Sequence, residues 1–159
     1  MKEQKTHSKA EAFSGMFRFQ ECIFNNALEN LTEDLALRRA SNNSNHMNWL
    51  LGHVLHCRFM LAGMIGLSEI NPFGKTYWTA IDDKPYPPVN EISGQLRLIS
   101  KKLIEKLSSI PDEEMDAKPG VDQSSLADII SFFAYHEAYH LGQIGIVRKM
   151  IGLSALKSS

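Results

Sequence analysis

Apolar residues recur every three or four positions in four long stretches of the chain, and this spacing predicts four helices. The first covers about residues 9–30, and the second starts near Asn43 or Ser44 and runs to about residue 66. The third covers about residues 91–109, and the fourth starts after Ser125 and ends near residue 151. The second and fourth helices are apolar around most of their circumference, which predicts that both are largely buried. No stretch alternates as a half-buried strand does.

The connections between these helices differ in length and in their end signals. Thr32 begins a turn or a new cap, and residues 38–45 and 111–123 are predicted loops. Ser125 and Asp128 fit a capping box, and Gly152 suits the position just after the fourth helix. Residues 68–88 form a long connection, and some 20 extended residues span about 60 Å, enough to return along a helix of about 30 Å. The sequence therefore predicts an all-α, four-helix up-down-down-up bundle with a long crossover between helices 2 and 3.

Composition limits the class of protein further. The 159 residues carry a net charge of −1, which gives no basic field for binding nucleic acid. The length predicts a single domain, residues 1–159, with an ordered core at about 10–152. No apolar run reaches the roughly 18 residues of a membrane span, and two cysteines are too few for a disulfide framework. A cytoplasmic location is the expectation.

The string HEAYH places His136 and His140 four residues apart within the fourth helix. Residues at this spacing share a helix face with Cβ atoms about 5–6 Å apart, so that both imidazoles reach one metal ion. Two buried imidazoles without a common partner are costly to desolvate. The spacing predicts a pair of metal ligands, with chance spacing of two histidines as the alternative.

The same string matches the H-E-x-x-H pattern of zincin metallopeptidases, which we rank second. The metzincin extension requires Gly and His where this chain has Gln143 and Ile146, and no Asp or Glu follows Glu137. A third ligand must therefore come from upstream.

His53 is the best upstream candidate because it lies in the middle of the second helix, one turn after Trp49. His56 is one turn further on and is expected to line the pocket, or to serve as the ligand instead. His46 lies near the helix start and is expected to be exposed. Cys57 is either a competing soft ligand or a small buried hydrophobe.

Three neutral imidazoles on a divalent ion leave a position open for water or substrate, which is typical of catalytic sites. Because such an ion lowers the pKa of bound water and deprotonates a bound thiol, hydrolysis and thiol transfer are both available. Glu137 is the candidate catalytic residue, as a general base, with anchoring of a ligand or plain solvation as alternatives. Three further residues are candidates for the cofactor pocket: Trp49, His56 and Gln143. The crossover aromatics either line this pocket or fill the core: Tyr77, Trp78 and Tyr86.

The segments NWLLGH (residues 48–53) and HEAYHLGQI (residues 136–144) together resemble the DinB/YfiT-like superfamily of metalloenzymes. The resemblance extends over about residues 10–152. It implies the same up-down-down-up bundle and a divalent metal, zinc or nickel, held by His53, His136 and His140. One departure is Leu141, where relatives often carry Arg, so no substrate is transferred from them.

The resemblance also implies a range of functions. Relatives include S-transferases that use low-molecular-weight thiols such as bacillithiol, a mycothiol-dependent isomerase and hydrolase-like members, and several form homodimers. We expect a metal-dependent S-transferase that acts on a small molecule with a low-molecular-weight thiol as cosubstrate. The alternatives are a metal-dependent hydrolase of a small amide or ester, and a non-catalytic, metal-binding dimeric bundle. A homodimer without nucleic-acid or membrane partners is expected.

Overall fold

The computed structural model describes residues 8–79, 85–118 and 124–157. Within these ranges the chain is all-helical, without strands, as predicted. The helices are α1 (Lys9–Leu28), α2 (Glu33–Leu37), α3 (Met47–Met64), α4 (Val89–Leu107), α5 (Asp112–Asp116) and α6 (Leu126–Met150). None of these helices is both long and apolar enough to cross a bilayer.

The four long helices pack around one apolar core. Helices α1 and α3 each contact both α4 and α6. In α3, 13 of the 18 residues are buried, so this helix lies at the centre of the fold, as its apolar circumference predicts. The core is made mainly of aliphatic and aromatic side chains, among them Phe17, Phe24, Leu51, Val54, Leu55, Ile92, Ile99, Leu103, Ile130 and Ile144.

Helix α6 is less buried than its sequence predicts. Only 10 of its 25 residues are buried, because α1 and α3 cover one side of the helix. A row of large apolar side chains, spaced three, four or seven residues apart, faces outward: Phe132, Tyr135, Tyr139, Ile146 and Met150. The apolar circumference of this helix therefore does not mean that it is enclosed.

The start of α3 also differs from the prediction. The helix begins at Met47, and its N-cap is His46, whose Nδ1 accepts a hydrogen bond from the backbone N–H of Trp49 at 3.1 Å. Ser44 instead closes a turn with the backbone of Ser41. The expected exposure of His46 is wrong, since only 5% of its surface is accessible. A buried imidazole nitrogen therefore caps this helix in place of the more usual Ser or Asn side chain.

Two short helices lie in segments without a periodic signal. Thr32 caps α2 by accepting from the backbone N–H of Leu35, which confirms the predicted cap. Helix α5 lies inside the predicted loop 111–123 and buries Met115. Each has five residues, too few for a repeat of 3.6 residues to be recognised.

The two ends of α6 follow the predicted signals. Ser125 and Asp128 form the reciprocal capping box, with each side chain bonded to the other residue's backbone N–H. Gly152, just after the helix, has φ of +90°, a left-handed conformation that glycine adopts without steric cost.

The crossover packs against α3 through Tyr77. This side chain is fully buried, and its hydroxyl donates to the Oδ1 atom of Asn48 at 3.1 Å. The ring lies directly over Gly52, where a Cβ atom would be 2.2 Å from Tyr77 Cε1. Gly52 therefore allows the crossover to approach the helix closely. The part of this crossover at residues 80–84 lies outside the described residues.

We predict that Gly52→Ala destabilises the protein by about 1–3 kcal/mol, because the methyl group forces the buried Tyr77 ring to move. Gly63→Ala is the matched control in the same helix, since nothing lies within 4 Å of a Cβ atom there. The control is expected to gain up to about 1 kcal/mol. Denaturant-induced unfolding measures both, and equal stability of the wild type and the Gly52 variant would contradict the contact.

Candidate metal centre

Three imidazoles converge where α3 and α6 face each other. His136 and His140 lie one turn apart on α6, and their Nε2 atoms are 3.2 Å apart. His53 reaches across from α3, and its Nε2 atom is 3.4 Å from that of His136. The HEAYH pair and its upstream candidate are therefore brought together at one place.

Two of these imidazoles are oriented by hydrogen bonds at the other ring nitrogen. The Nδ1 atom of His53 donates to the backbone carbonyl of Tyr77 at 2.8 Å. The Nδ1 atom of His140 donates to Gln143 Oε1 at 2.7 Å, while the Gln143 amide donates to the hydroxyl of Tyr139. Because both oxygens only accept, the proton is on Nδ1 and the Nε2 lone pair points into the cluster. This is the tautomer that a metal ligand needs.

The distances fit a single divalent ion. Two nitrogens bound to one tetrahedral ion at about 2.0–2.1 Å are about 3.3–3.4 Å apart, close to both measured separations. Burial lowers the pKa of His136, and it lowers the pKa of His140 to about 4, so both rings are neutral near pH 7. The Nε2 lone pairs of His53 and His140 face the same space, and a shared cation would bind both of them.

Cys57 belongs to the same cluster. Its Sγ atom is 3.7 Å from the Nε2 atom of His53, one turn earlier on α3. The donor atoms of His53, Cys57 and His136 all lie within 4.8 Å of one another, close enough to hold a metal ion together. Burial, and secondarily the charge of Glu137, raises the pKa of the Cys57 thiol to about 12. Without a metal the group is therefore a neutral thiol.

Two aromatic side chains border the imidazoles. The Trp49 ring stacks on the His53 ring, with centroids 4.7 Å apart and an interplanar angle of 12°. Phe132 stacks on His136 with centroids 5.8 Å apart. Among the described residues, Trp49 Nε1 and His136 Nδ1 are buried without a hydrogen-bond partner. The border of the cluster is thus apolar, and it leaves two buried nitrogens available.

The two other predicted pocket residues lie in different surroundings. Gln143 contacts the cluster directly through its bond to His140. His56 instead faces the crossover, where its Nδ1 atom lies 3.2 Å from the Gly74 carbonyl and its ring meets the edge of Trp78. Burial lowers the pKa of His56. Of the two upstream histidines, His53 is therefore the one that reaches the HEAYH pair.

Glu137 lies about a quarter-turn around α6 from His136 and binds Arg58. The Nε and Nη2 atoms of Arg58 donate to its two carboxylate oxygens at 2.9 and 2.5 Å. The Arg58 and Glu137 side chains are 1% and 4% exposed, so plain solvation of Glu137 is wrong. Both carboxylate oxygens are bonded to Arg58, which leaves them poorly placed for a general base at the metal.

Arg58 also binds two other helices. It donates to the hydroxyl of Ser100 on α4 and, at 3.5 Å, to the carbonyl of Phe17 on α1. Arg58 is not among the residues predicted from the sequence, although a signal was present. Arg58 is the only charged residue within α3, and a lone charge in an apolar helix requires a buried partner.

Two cavities flank the cluster. One, of about 500 Å³, lies between α3 and α6 next to the Phe132 ring and is mostly apolar. Its lining is Met60, Met64, Ser124, Asp128, Ile129, Phe132 and Phe133. The other, of about 230 Å³, lies beside Gln143 and the loop before α3. No imidazole of the cluster lines either cavity; the first meets the cluster through Phe132, which stacks on His136, and the second through Gln143, which binds His140.

A comparison with models of known protein families gives a match. The family model described as the DinB superfamily matches residues 16–144. This range includes all three converging histidines. No curated protein and no solved structure matches the chain.

We predict that Glu137→Gln destabilises the protein by about 3–5 kcal/mol, because it leaves the Arg58 charge buried and uncompensated. The double variant Arg58→Met/Glu137→Leu should recover most of this loss, since it removes both charges and keeps the volume. Chemical unfolding measures the three proteins.

A matched control is Glu69→Gln, which breaks the solvent-screened pair of Glu69 with Lys102. Little change is expected there. A Glu137→Gln protein as stable as this control would show that the buried ion pair does not hold α3 against α6.

Proposed function

Because the chain belongs to the DinB superfamily, we propose that it is a metal-dependent enzyme with a three-histidine site. His53, His136 and His140 would hold one divalent ion, zinc or nickel. The reaction proposed is thiol-dependent S-transfer to a small molecule. The observation that carries this proposal is the convergence of three Nε2 atoms, two of them oriented by hydrogen bonds at Nδ1.

We also propose that the four long helices run up-down-down-up. Contacts between the ends of neighbouring helices support this order. Asn48, at the start of α3, donates to the carbonyl of Pro87 just before α4, as expected if α3 and α4 run the same way. Arg148, near the end of α6, donates to Ala27, near the end of α1, as expected for a second parallel pair.

A further contact supports opposite directions for the pair α3 and α4 and the pair α1 and α6. Val89, the first residue of α4, donates its backbone N–H to Glu33, which lies a few residues after the end of α1. An end of α1 next to a start of α4 supports antiparallel directions. Together these contacts support the order up-down-down-up, in which α3 and α6 would run antiparallel with the imidazoles between them.

The chain's own residues supply binding and orientation. A bound divalent ion would stabilise a thiolate at neutral pH and hold it beside an electrophile. Tyr77 and Gln143 keep the imidazoles of His53 and His140 in the binding orientation. The rings of Trp49 and Phe132 place apolar surface beside the imidazoles of His53 and His136. The cavity beside Phe132 is the proposed seat for the organic part of the electrophile.

The structure of the HEAYH segment favours this proposal over a zincin-like peptidase. In a zincin the Glu of the motif acts as the general base at the metal. Here Glu137 is bound by Arg58 through both of its oxygens. We therefore propose a positioning role for Glu137, through Arg58, and no proton transfer. Hydrolysis of a small amide or ester remains the alternative reaction at the same three ligands.

Metal binding is the first test. We expect the wild type, purified without an affinity tag, to bind about one zinc or nickel ion per chain. His53→Ala and His136→Ala should each lose the tightly bound ion, because two imidazoles remain. His56→Ala is the matched control and should keep it, since His56 faces the crossover. Full metal occupancy in both ligand variants would contradict the site.

The reaction class needs a separate test. Metal-loaded protein is incubated with a panel of small electrophiles, with and without a low-molecular-weight thiol, and the products are identified by mass spectrometry. Thioether products that require both the thiol and the metal are expected. Hydrolysis products that form equally well without thiol would instead favour the hydrolase.

A further inference from the structure

We propose that Cys57 is a fourth ligand, which holds the position that three histidines leave open and gives it up to the thiol cosubstrate. This rests on the metal site of the proposed function. In this proposal Cys57 closes the site before substrate arrives. Replacement of its sulfur by that of another thiol is the reason a thiol enters the site more readily than water.

The geometry on α3 mirrors that on α6. His53 and Cys57 are four residues apart on one helix, as His136 and His140 are on the other, so each helix presents two donors to the same space. A nitrogen at about 2.0–2.1 Å and a sulfur at about 2.3 Å from one tetrahedral ion are about 3.6 Å apart. The measured separation of Cys57 Sγ and His53 Nε2 is 3.7 Å.

Three of the donor separations are therefore close to those of one tetrahedral shell, and the donor atoms of His53, Cys57 and His136 all lie within 4.8 Å of one another. His53 to His136 is 3.4 Å, and His136 to His140 is 3.2 Å. Cys57 adds a soft donor to three imidazoles, a set that suits zinc among the divalent ions. Cys57 is half-buried, in contrast to the fully enclosed side chains of the core.

The exchange conserves atoms and charge. The bond between the ion and Cys57 Sγ breaks, and a bond between the ion and the cosubstrate sulfur forms. The proton of the incoming thiol moves to Cys57, which becomes a neutral thiol, so that one thiolate replaces another. A water molecule offers no such like-for-like replacement, and a closed site therefore favours thiol transfer over hydrolysis.

Cobalt(II) provides the test, because a thiolate ligand gives cobalt a charge-transfer absorption in the near ultraviolet and imidazole ligands do not. Wild-type protein loaded with cobalt is expected to show this band. Cys57→Ser should bind cobalt and lack the band. Cys22→Ser is the matched control: Cys22 is exposed on α1, away from the cluster, and its removal should leave the spectrum unchanged.

The exchange is tested in the same Cys57→Ser protein. Adding 2-mercaptoethanol should restore the near-ultraviolet band, because a small thiol can then take the vacated position. Circular dichroism of each variant shows that the helices are intact. Cys57→Ala provides a second variant without a hydroxyl that could replace the sulfur.

The outcomes separate the two proposals. If no variant and no wild-type protein binds cobalt, zinc or nickel, the proposed function fails. If cobalt binds and the wild-type spectrum equals that of Cys57→Ser, the metal site stands and Cys57 is not a ligand. If the band depends on Cys57 but 2-mercaptoethanol does not restore it in the variant, the site is closed to thiols and the exchange is wrong.

Discussion

The ion pair between Arg58 and Glu137 constrains the whole bundle, because neither charge is stable there alone. Both side chains are almost completely buried, and a single uncompensated charge at that depth costs several kcal/mol. Arg58 comes from α3 and Glu137 from α6, so these helices must meet at one register. The further bonds of Arg58 to Ser100 and Phe17 extend the same constraint to α4 and α1.

That register also aligns the proposed metal donors. Cys57 directly precedes Arg58 and His136 directly precedes Glu137, so fixing the two charges against each other fixes the donors one residue away. On the cluster side, the Tyr77 carbonyl orients the His53 imidazole and the Gln143 side-chain oxygen orients the His140 imidazole. Gly52 contributes by its lack of a side chain, since the Tyr77 ring occupies that space. The candidate site is thus held in place by the buried ion pair, by Tyr77 of the crossover and by Gln143 on α6.

Helical periodicity and histidine spacing predict the all-α class, the long helices and the His136–His140 pair, because those signals are local. The capping box of Ser125 and the turn at Gly152 are local in the same way. What was wrong or overlooked depends on the tertiary structure. The His46 cap replaces the expected Asn43 or Ser44, and α6 leaves Phe132 exposed because only one side of the helix is covered. The role of Glu137 depends on a partner 79 residues away, which no local pattern reveals.

The central claim is that α3 and α6 hold one metal ion between their histidines. Anomalous diffraction from crystals grown with zinc, measured on both sides of the zinc absorption edge, tests this most directly. The account predicts one strong peak within bonding distance of the Nε2 atoms of His53, His136 and His140. A peak elsewhere on the protein, or no peak from either zinc or nickel crystals, would contradict it.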